Sequence, residues 1–179
     1  VPDLAYGDRE WLERERQALL GHIRAAFRNV SREGGVSWSE TFVIDDRGSD
    51  SERREARESD SDRHWSELLD DPDWFPFLWS GGLAFIDKIG FRYYLPAAMS
   101  WTIVHEEGMY DLGLQLHLAL PAPGDNLREH TLDKWSLLDE RQRQAVKRFL
   151  RYMQARHSAE DEQLGEWWRE TYQSYWDTC

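Results

Sequence analysis

An all-α fold, a single compact domain of six to eight helices in an irregular bundle, is what this 179-residue sequence predicts. Three observations carry it. Leu12, Leu19, Leu20, Ile23, Ala26, Phe27 and Val30 recur at three- and four-residue steps between charged positions, the period of an amphipathic helix. Capping-box pairs, in which a Ser or Asp and a Glu or Gln three residues later satisfy each other's free amides, stand at Ser37 with Glu40, Ser49 with Glu52, and Asp139 with Gln142. After the last of them, Val146, Phe149, Leu150 and Met153 form one apolar stripe. A chain of this length supports one core, burying roughly 70% of its unfolded surface.

The first amphipathic helix is expected from about Asp8 to Val30, ended by Gly34-Gly35. The box at Ser37 predicts a short helix to Asp45, and the box at Ser49 another through Glu58. Residues 45–63 are the most charge-dense stretch of the chain, with few apolar side chains to bury, and read as a mobile segment. His64 to Asp70 reads as one or two helical turns, and Asp71-Pro72 as a further helix start limited by Pro76. Gly81-Gly82 marks a loop, after which Asp87 caps a helix carrying Phe91, Tyr94 and Leu95 inward. Pro96 lacks an amide hydrogen, so this central helix must kink there or a new one must begin. Met99, Trp101 and Ile103 then face the core up to Glu107. From Met109 to Leu120, Leu112, Leu116 and Leu120 repeat at four-residue spacing, and Pro121-Ala122-Pro123-Gly124 stops the helix. The two central helices are expected to pair antiparallel. A long helix follows Asp139, and a last one, from about Ala159 to Tyr175, turns Leu164, Trp168, Tyr172 and Tyr175 to one side. The whole chain, 1–179, reads as one domain.

The net charge is -12. Lys88, Lys134 and Lys147 apart, the basic residues are Arg interleaved with acids, as in Glu13-Arg14-Glu15-Arg16, which is the pattern of a solvated face. No basic stripe stands out, so direct nucleic-acid binding is not expected. Ten Trp are several times the usual number, and each carries roughly 150 to 250 Å² that the core or a partner must cover. Cys179 has no second Cys for a disulfide or a CxxC metal or redox pair. No apolar run approaches the roughly 20 residues that cross a bilayer, and no basic-then-apolar leader pattern opens the chain. A cytoplasmic protein without membrane contact is the expectation.

Four segments, Ser37 to Gly48, His64 to Leu68, Gly90-Phe91-Arg92-Tyr93-Tyr94-Leu95-Pro96-Ala97-Ala98-Met99, and Leu137 to Met153, carry a resemblance. In order and separation they resemble an uncharacterised bacterial domain family whose function is unknown, over roughly residues 19–153. The resemblance implies a mostly helical cytoplasmic domain and supplies no activity. The Trp- and Tyr-rich residues 158–179 lie outside it.

Arg92 is the leading candidate for a binding residue, because a guanidinium beside Phe91, Tyr93 and Tyr94 is either stacked on a ring or paired with a carboxylate. It either pairs with Asp45, Asp46, Asp87 or Glu106 to lock the central helices, or recognises an anionic ligand or a partner's acid. In the first case Arg92→Met would loosen or unfold the domain. Asp45 and Asp46 offer carboxylates for a metal or for acid-base work, against the plainer role of pairing with Arg and ending a helix. His105-Glu106-Glu107 is half of a zinc motif, but the second His, due at position 109, is Met. Approach of His117 to His105, with Glu106 and Asp111, is the remaining route to a metal, and no metal or other cofactor is expected. Neither a nucleophile elbow nor a phosphate-binding loop with its Lys is present. At the C-terminus, Trp167, Tyr175 and Trp176 exceed what one helix face can bury, so they are candidates for a partner interface.

These features favour a non-enzymatic acidic interaction protein, such as an immunity or inhibitor protein that occludes a basic toxin, a nuclease or another nucleic-acid-binding site. The alternative is an enzyme or small-molecule binder around Arg92, Tyr93, Tyr94, His105, Asp45 and Asp46. A third reading is a homo-oligomer held by the C-terminal aromatics.

Overall fold

The structure, a computed structural model, describes residues 9–71, 74, 81–105, 108–158 and 161–178, with the backbone alone at 9 and 108–112. Among these residues are eight α-helices and no strand. They are α1 (Arg9–Phe27), α2 (Trp38–Asp45), α3 (Asp50–Ser59), α4 (Lys88–Val104), α5 (Gly108–Leu118), α6 (Arg128–Trp135), α7 (Glu140–Ser158) and α8 (Glu162–Thr171). Two short 3-10 turns, Trp65–Asp70 and Gly82–Ala84, precede α4. The helix expected from Asp71-Pro72 to Pro76 falls largely outside the described residues.

The core follows from the stripes. α1 buries Leu19, Ile23 and Phe27, and α7 buries Val146, Phe149, Leu150 and Met153. These two helices pack on each other, and α8 covers α7. α4 is apolar on nearly every side from Phe91 to Met99, which makes it the buried central helix. It is wrapped by α1, α6 and the turn at Trp65–Asp70. No described helix is long and apolar enough to cross a membrane.

The capping boxes at Ser49 and Asp139 close in both directions, and the one at Ser37 through Glu40 alone. Glu52 accepts the Ser49 amide at 2.7 Å, Asp139 accepts the Gln142 amide at 2.9 Å, and Gln142 accepts the Asp139 amide at 3.1 Å. Glu40, 6% exposed, accepts the Ser37 amide at 3.0 Å. The charge-dense stretch forms α3, which is tied back to α2 by Arg57 and Arg53 on that same Glu40, at 2.8 and 3.3 Å. Asp87 caps α4 by accepting the Gly90 amide at 2.8 Å, and its same oxygen takes the Val36 amide at 3.0 Å. A Cβ on Gly90 would stand 2.6 Å from the Val36 oxygen, so only glycine lets the loop approach the helix there.

Several expectations change. α4 runs through Pro96 as one helix, with no new start; the missing amide leaves the Arg92 carbonyl without its helical donor. In α5 the inward leucines are Leu114 and Leu118, and Leu116 is 71% exposed. Of the three leucines expected to repeat, Leu120 is buried just beyond the helix and the Leu112 side chain lies outside the described residues. Leu116 alone departs, in a helix too short and uniformly apolar for its period to choose a side. α6 was not foreseen: its sequence is mostly polar, and it is fixed by Trp135 and Lys134 at one end. At the C-terminus the chain widens into a π-type turn over Tyr172–Trp176, closed by the Asp177 amide on the Tyr172 carbonyl at 3.2 Å. The wider turn adds a residue to the period, so Trp168, Thr171 and Trp176 point inward while Tyr172 and Tyr175 are only partly covered.

Candidate functional site

Tyr93 and Tyr94 leave α4 toward the loop that follows α3. The Tyr93 hydroxyl donates to Asp62 at 2.7 Å. The Tyr94 hydroxyl accepts from Arg32 and from the Trp38 amide, each at 2.9 Å. Arg32 also donates to the Asp60 carbonyl at 3.1 Å and lies 3.5 and 3.6 Å from the carboxylates of Asp60 and Asp62. Asp60 in turn holds the amide and hydroxyl of Ser39, the first turn of α2, at 2.9 and 2.6 Å. Burial pushes both tyrosine hydroxyls well above their usual range, and the neighbouring Asp62 adds to it, so neither serves as a base.

Above this network opens a cleft of about 410 Å³. Trp38, Phe42 and Trp74 form its apolar side, and Asp62, Glu67 and Asp71 bring carboxylates to it beside Asp60. Trp38 packs against Trp74 and Tyr94 with ring centroids 5.5 and 5.3 Å apart. The Trp74 indole nitrogen is buried and has no acceptor among the described residues. Flat aromatic faces beside a cluster of acids suit a cation on an aliphatic stem.

Arg92 does not take part in this network or line the cleft. None of its expected partners among the described residues is reached, and its Nε is buried without an acceptor. It faces a separate pocket of about 240 Å³ with Arg28 and Arg141. Arg32 makes the ion pairs in this region, with Asp60 and Asp62 rather than with any acid expected for Arg92.

The other candidates are dispersed. Asp45 accepts the Gly81 amide at 3.0 Å, and Asp46 ends α2 through its own amide on Phe42. Neither carboxylate pairs with an arginine among the described residues. His105 closes α4, stacked on Trp101 at 4.1 Å and bonded to its carbonyl at 3.0 Å. His117 lies near Lys134, where burial, helped by the lysine's charge, lowers its pKa to about 4. Lys134 itself is lowered by burial to about 8 while donating to the Leu83 carbonyl at 2.9 Å. Among the described residues no three His, Cys, Asp or Glu gather into a metal site; Glu106 and the Asp111 side chain lie outside them. Arg92, Tyr94, His105 and the Asp45-Asp46 pair therefore do not converge on one pocket.

Of the C-terminal aromatics, Trp176 is fully buried and donates to the Leu118 carbonyl at 2.8 Å. Tyr175 is partly covered, against Trp135 and Arg143. Trp167 is 38% exposed, and Gln115 beside Leu116 reaches its carbonyl at 3.3 Å. Only Trp167 of the three is presented as an exposed ring.

A basic face, absent from the linear reading, also forms. His22 of α1 with Lys147, Arg148 and Arg151 of α7 line a groove of about 380 Å³. Arg148 is clamped by both Glu15 oxygens, at 2.5 and 2.9 Å, and Arg151 donates to Tyr172 at 2.9 Å.

A family model described as a family of unknown function, DUF6714, matches residues 15–179. The chain belongs to that family. The DUF6714 match extends past Ser158, so it takes in the aromatic C-terminal residues that the resemblance read from the sequence left out. No curated protein and no solved structure matches. Within this DUF6714 chain, then, the Arg32 network and the cleft above it are the features that combine burial, charge and space.

Proposed function

We propose that the domain is a non-enzymatic, acidic interaction protein whose cleft receives a lysine or arginine side chain of a basic protein partner. The observation that carries this reading is the cleft itself: three aromatic side chains on one wall and four carboxylates around them, with Arg32 the neutralising cation beneath. A guanidinium or ammonium entering there exchanges water for ring faces and acids, worth about 0.5 to 2 kcal/mol per aromatic face. A net charge of -12 steers a basic surface toward the domain before those short-range contacts form. A protein that acts on nucleic acid must present such a basic surface, so an inhibitor or immunity protein covering a toxin or nuclease fits this chemistry. The cytoplasm of a bacterium is the setting proposed for it.

Affinity purification from producing cells tests the reading. A basic protein should be retained at low salt, released at about 0.5 M salt where the Debye length falls to a few ångströms, and lost from the Glu67→Gln/Asp71→Asn double variant. Recovery of no basic protein, or retention indifferent to both salt and the double variant, would contradict it.

A further inference from the structure

We propose that the pocket between the end of α1 and the start of α7 is a binding site for a small phosphate-type oxyanion, held by Arg28, Arg92 and Arg141. In a chain of net charge -12, three guanidiniums line this one pocket. None of them makes a hydrogen bond or ion pair among the described residues. Elsewhere Arg32, Arg53, Arg57 and Arg148 meet carboxylates, while Arg24, Arg47, Arg54 and Arg63 stand exposed and dispersed, so this pocket is where unpaired guanidiniums gather. The one carboxylate at the pocket, Asp139, is committed to capping α7 through the Gln142 amide at 2.9 Å.

Unpaired like charges around one cavity repel, and a guanidinium donor enclosed without an acceptor forfeits its hydration. Arg92 Nε is in that position. A single oxyanion relieves the repulsion, because several oxygens can accept charge-assisted bonds from several planar guanidiniums at once. The size is restrictive. About 240 Å³ is roughly eight times the share of volume one water takes in the liquid. It falls below the roughly 300 to 1,000 Å³ of sites that enclose drug-sized ligands. Phosphate or pyrophosphate fits within it. Three positive charges against the single carboxylate of Asp139 favour the di- or trianion over a lone carboxylate. The pocket shares no lining residue with the acidic cleft, so this inference stands apart from the proposed function.

Calorimetric titration of the whole chain with inorganic phosphate, pyrophosphate and citrate, at constant ionic strength in chloride, tests it. Saturable one-to-one binding of pyrophosphate or phosphate is expected, tighter than that of citrate. It should weaken about tenfold or more in Arg28→Gln and in Arg141→Gln, the loss of one charge-assisted bond, and stay unchanged in Arg63→Gln. Arg92→Gln should behave like the first two; if it fails to fold, those exposed variants decide alone. Absence of saturable binding by either phosphate, tighter binding of citrate, or undiminished binding by Arg28→Gln and Arg141→Gln would overturn the assignment.

Discussion

The Arg32 guanidinium donates to the Tyr94 hydroxyl at 2.9 Å, joining the loop after α1 to the central helix across 62 residues of sequence. Because the same guanidinium faces Asp60 and Asp62, its removal leaves two largely enclosed carboxylates without their cation. Burial works against the charge on Arg32, but Tyr94, Asp62 and Asp60 outweigh it and raise its pKa. Arg32→Met should therefore cost about 3 to 5 kcal/mol, the usual penalty for breaking one side of a buried pair. Arg92→Met, which breaks no ion pair, should cost less than about 1 kcal/mol. Urea denaturation of the two variants checks the contrast, and equal losses would contradict it.

Glu40 supplies a pH dependence of known sign. Burial alone would raise its pKa, yet the Ser37 amide, then Arg57 and Arg53, hold it below the ordinary 4.5. A carboxylate bound more weakly to protons in the fold than in the unfolded chain stabilises above that ordinary value. The contribution disappears as pH drops through the lower folded value. Denaturation midpoints should fall below about pH 4.5 in the parent protein, and less steeply in Glu40→Gln, which will start from a lower stability.

The long amphipathic helices were legible because α1 and α7 are long enough for their apolar period to be unambiguous, and the boxes at Ser49 and Asp139 were legible because caps are local chemistry. Arg92 was singled out by its aromatic neighbours, but neighbours in sequence lie about 100° apart on a helix. Arg92 consequently faces the pocket beside α1, while Tyr93 and Tyr94 reach the Arg32 network. Nothing in the spacing of Arg32, Asp60 and Asp62 announces that they meet; a charged loop flanked by two anchored aromatics, Trp38 and Trp65, is the nearest signal. The inward turn of Trp176 depends on one extra residue in a π-type turn, which no period reveals.

His117 contributes with the same sign over a higher window. Burial, then the Lys134 charge, lowers its pKa from 6.5 to about 4, so the fold holds the imidazole neutral while the unfolded chain takes a proton. This group's contribution is complete above pH 6.5 and declines as pH falls toward 4, with a slope of at most about 1.4 kcal/mol per pH unit. His117→Leu should show a flatter stability profile in that window by chemical denaturation. An unchanged slope would place the imidazole in water.

Trp176 and Trp167 separate packing from presentation. Trp176 is enclosed and bonded to the Leu118 carbonyl, so Trp176→Ala should cost about 3 to 5 kcal/mol. Trp167→Ala, at a 38% exposed ring, should change stability by no more than about 1 kcal/mol. Thermal melts of the two variants compare them directly, and a large loss in Trp167→Ala would remove that ring from the surface inventory.

The affinity of the acidic cleft for a cationic side chain is the central claim, and a fluorescence titration with a short arginine-containing peptide measures it. The peptide should perturb the indole emission saturably, bind more weakly as salt rises, and lose about tenfold affinity in Glu67→Gln/Asp71→Asn. The same two-charge reduction at Glu162→Gln/Glu170→Gln, on α8, should leave affinity nearly unchanged. Equal loss in both double variants would mean that the peptide senses only net charge, and would contradict a site in the cleft.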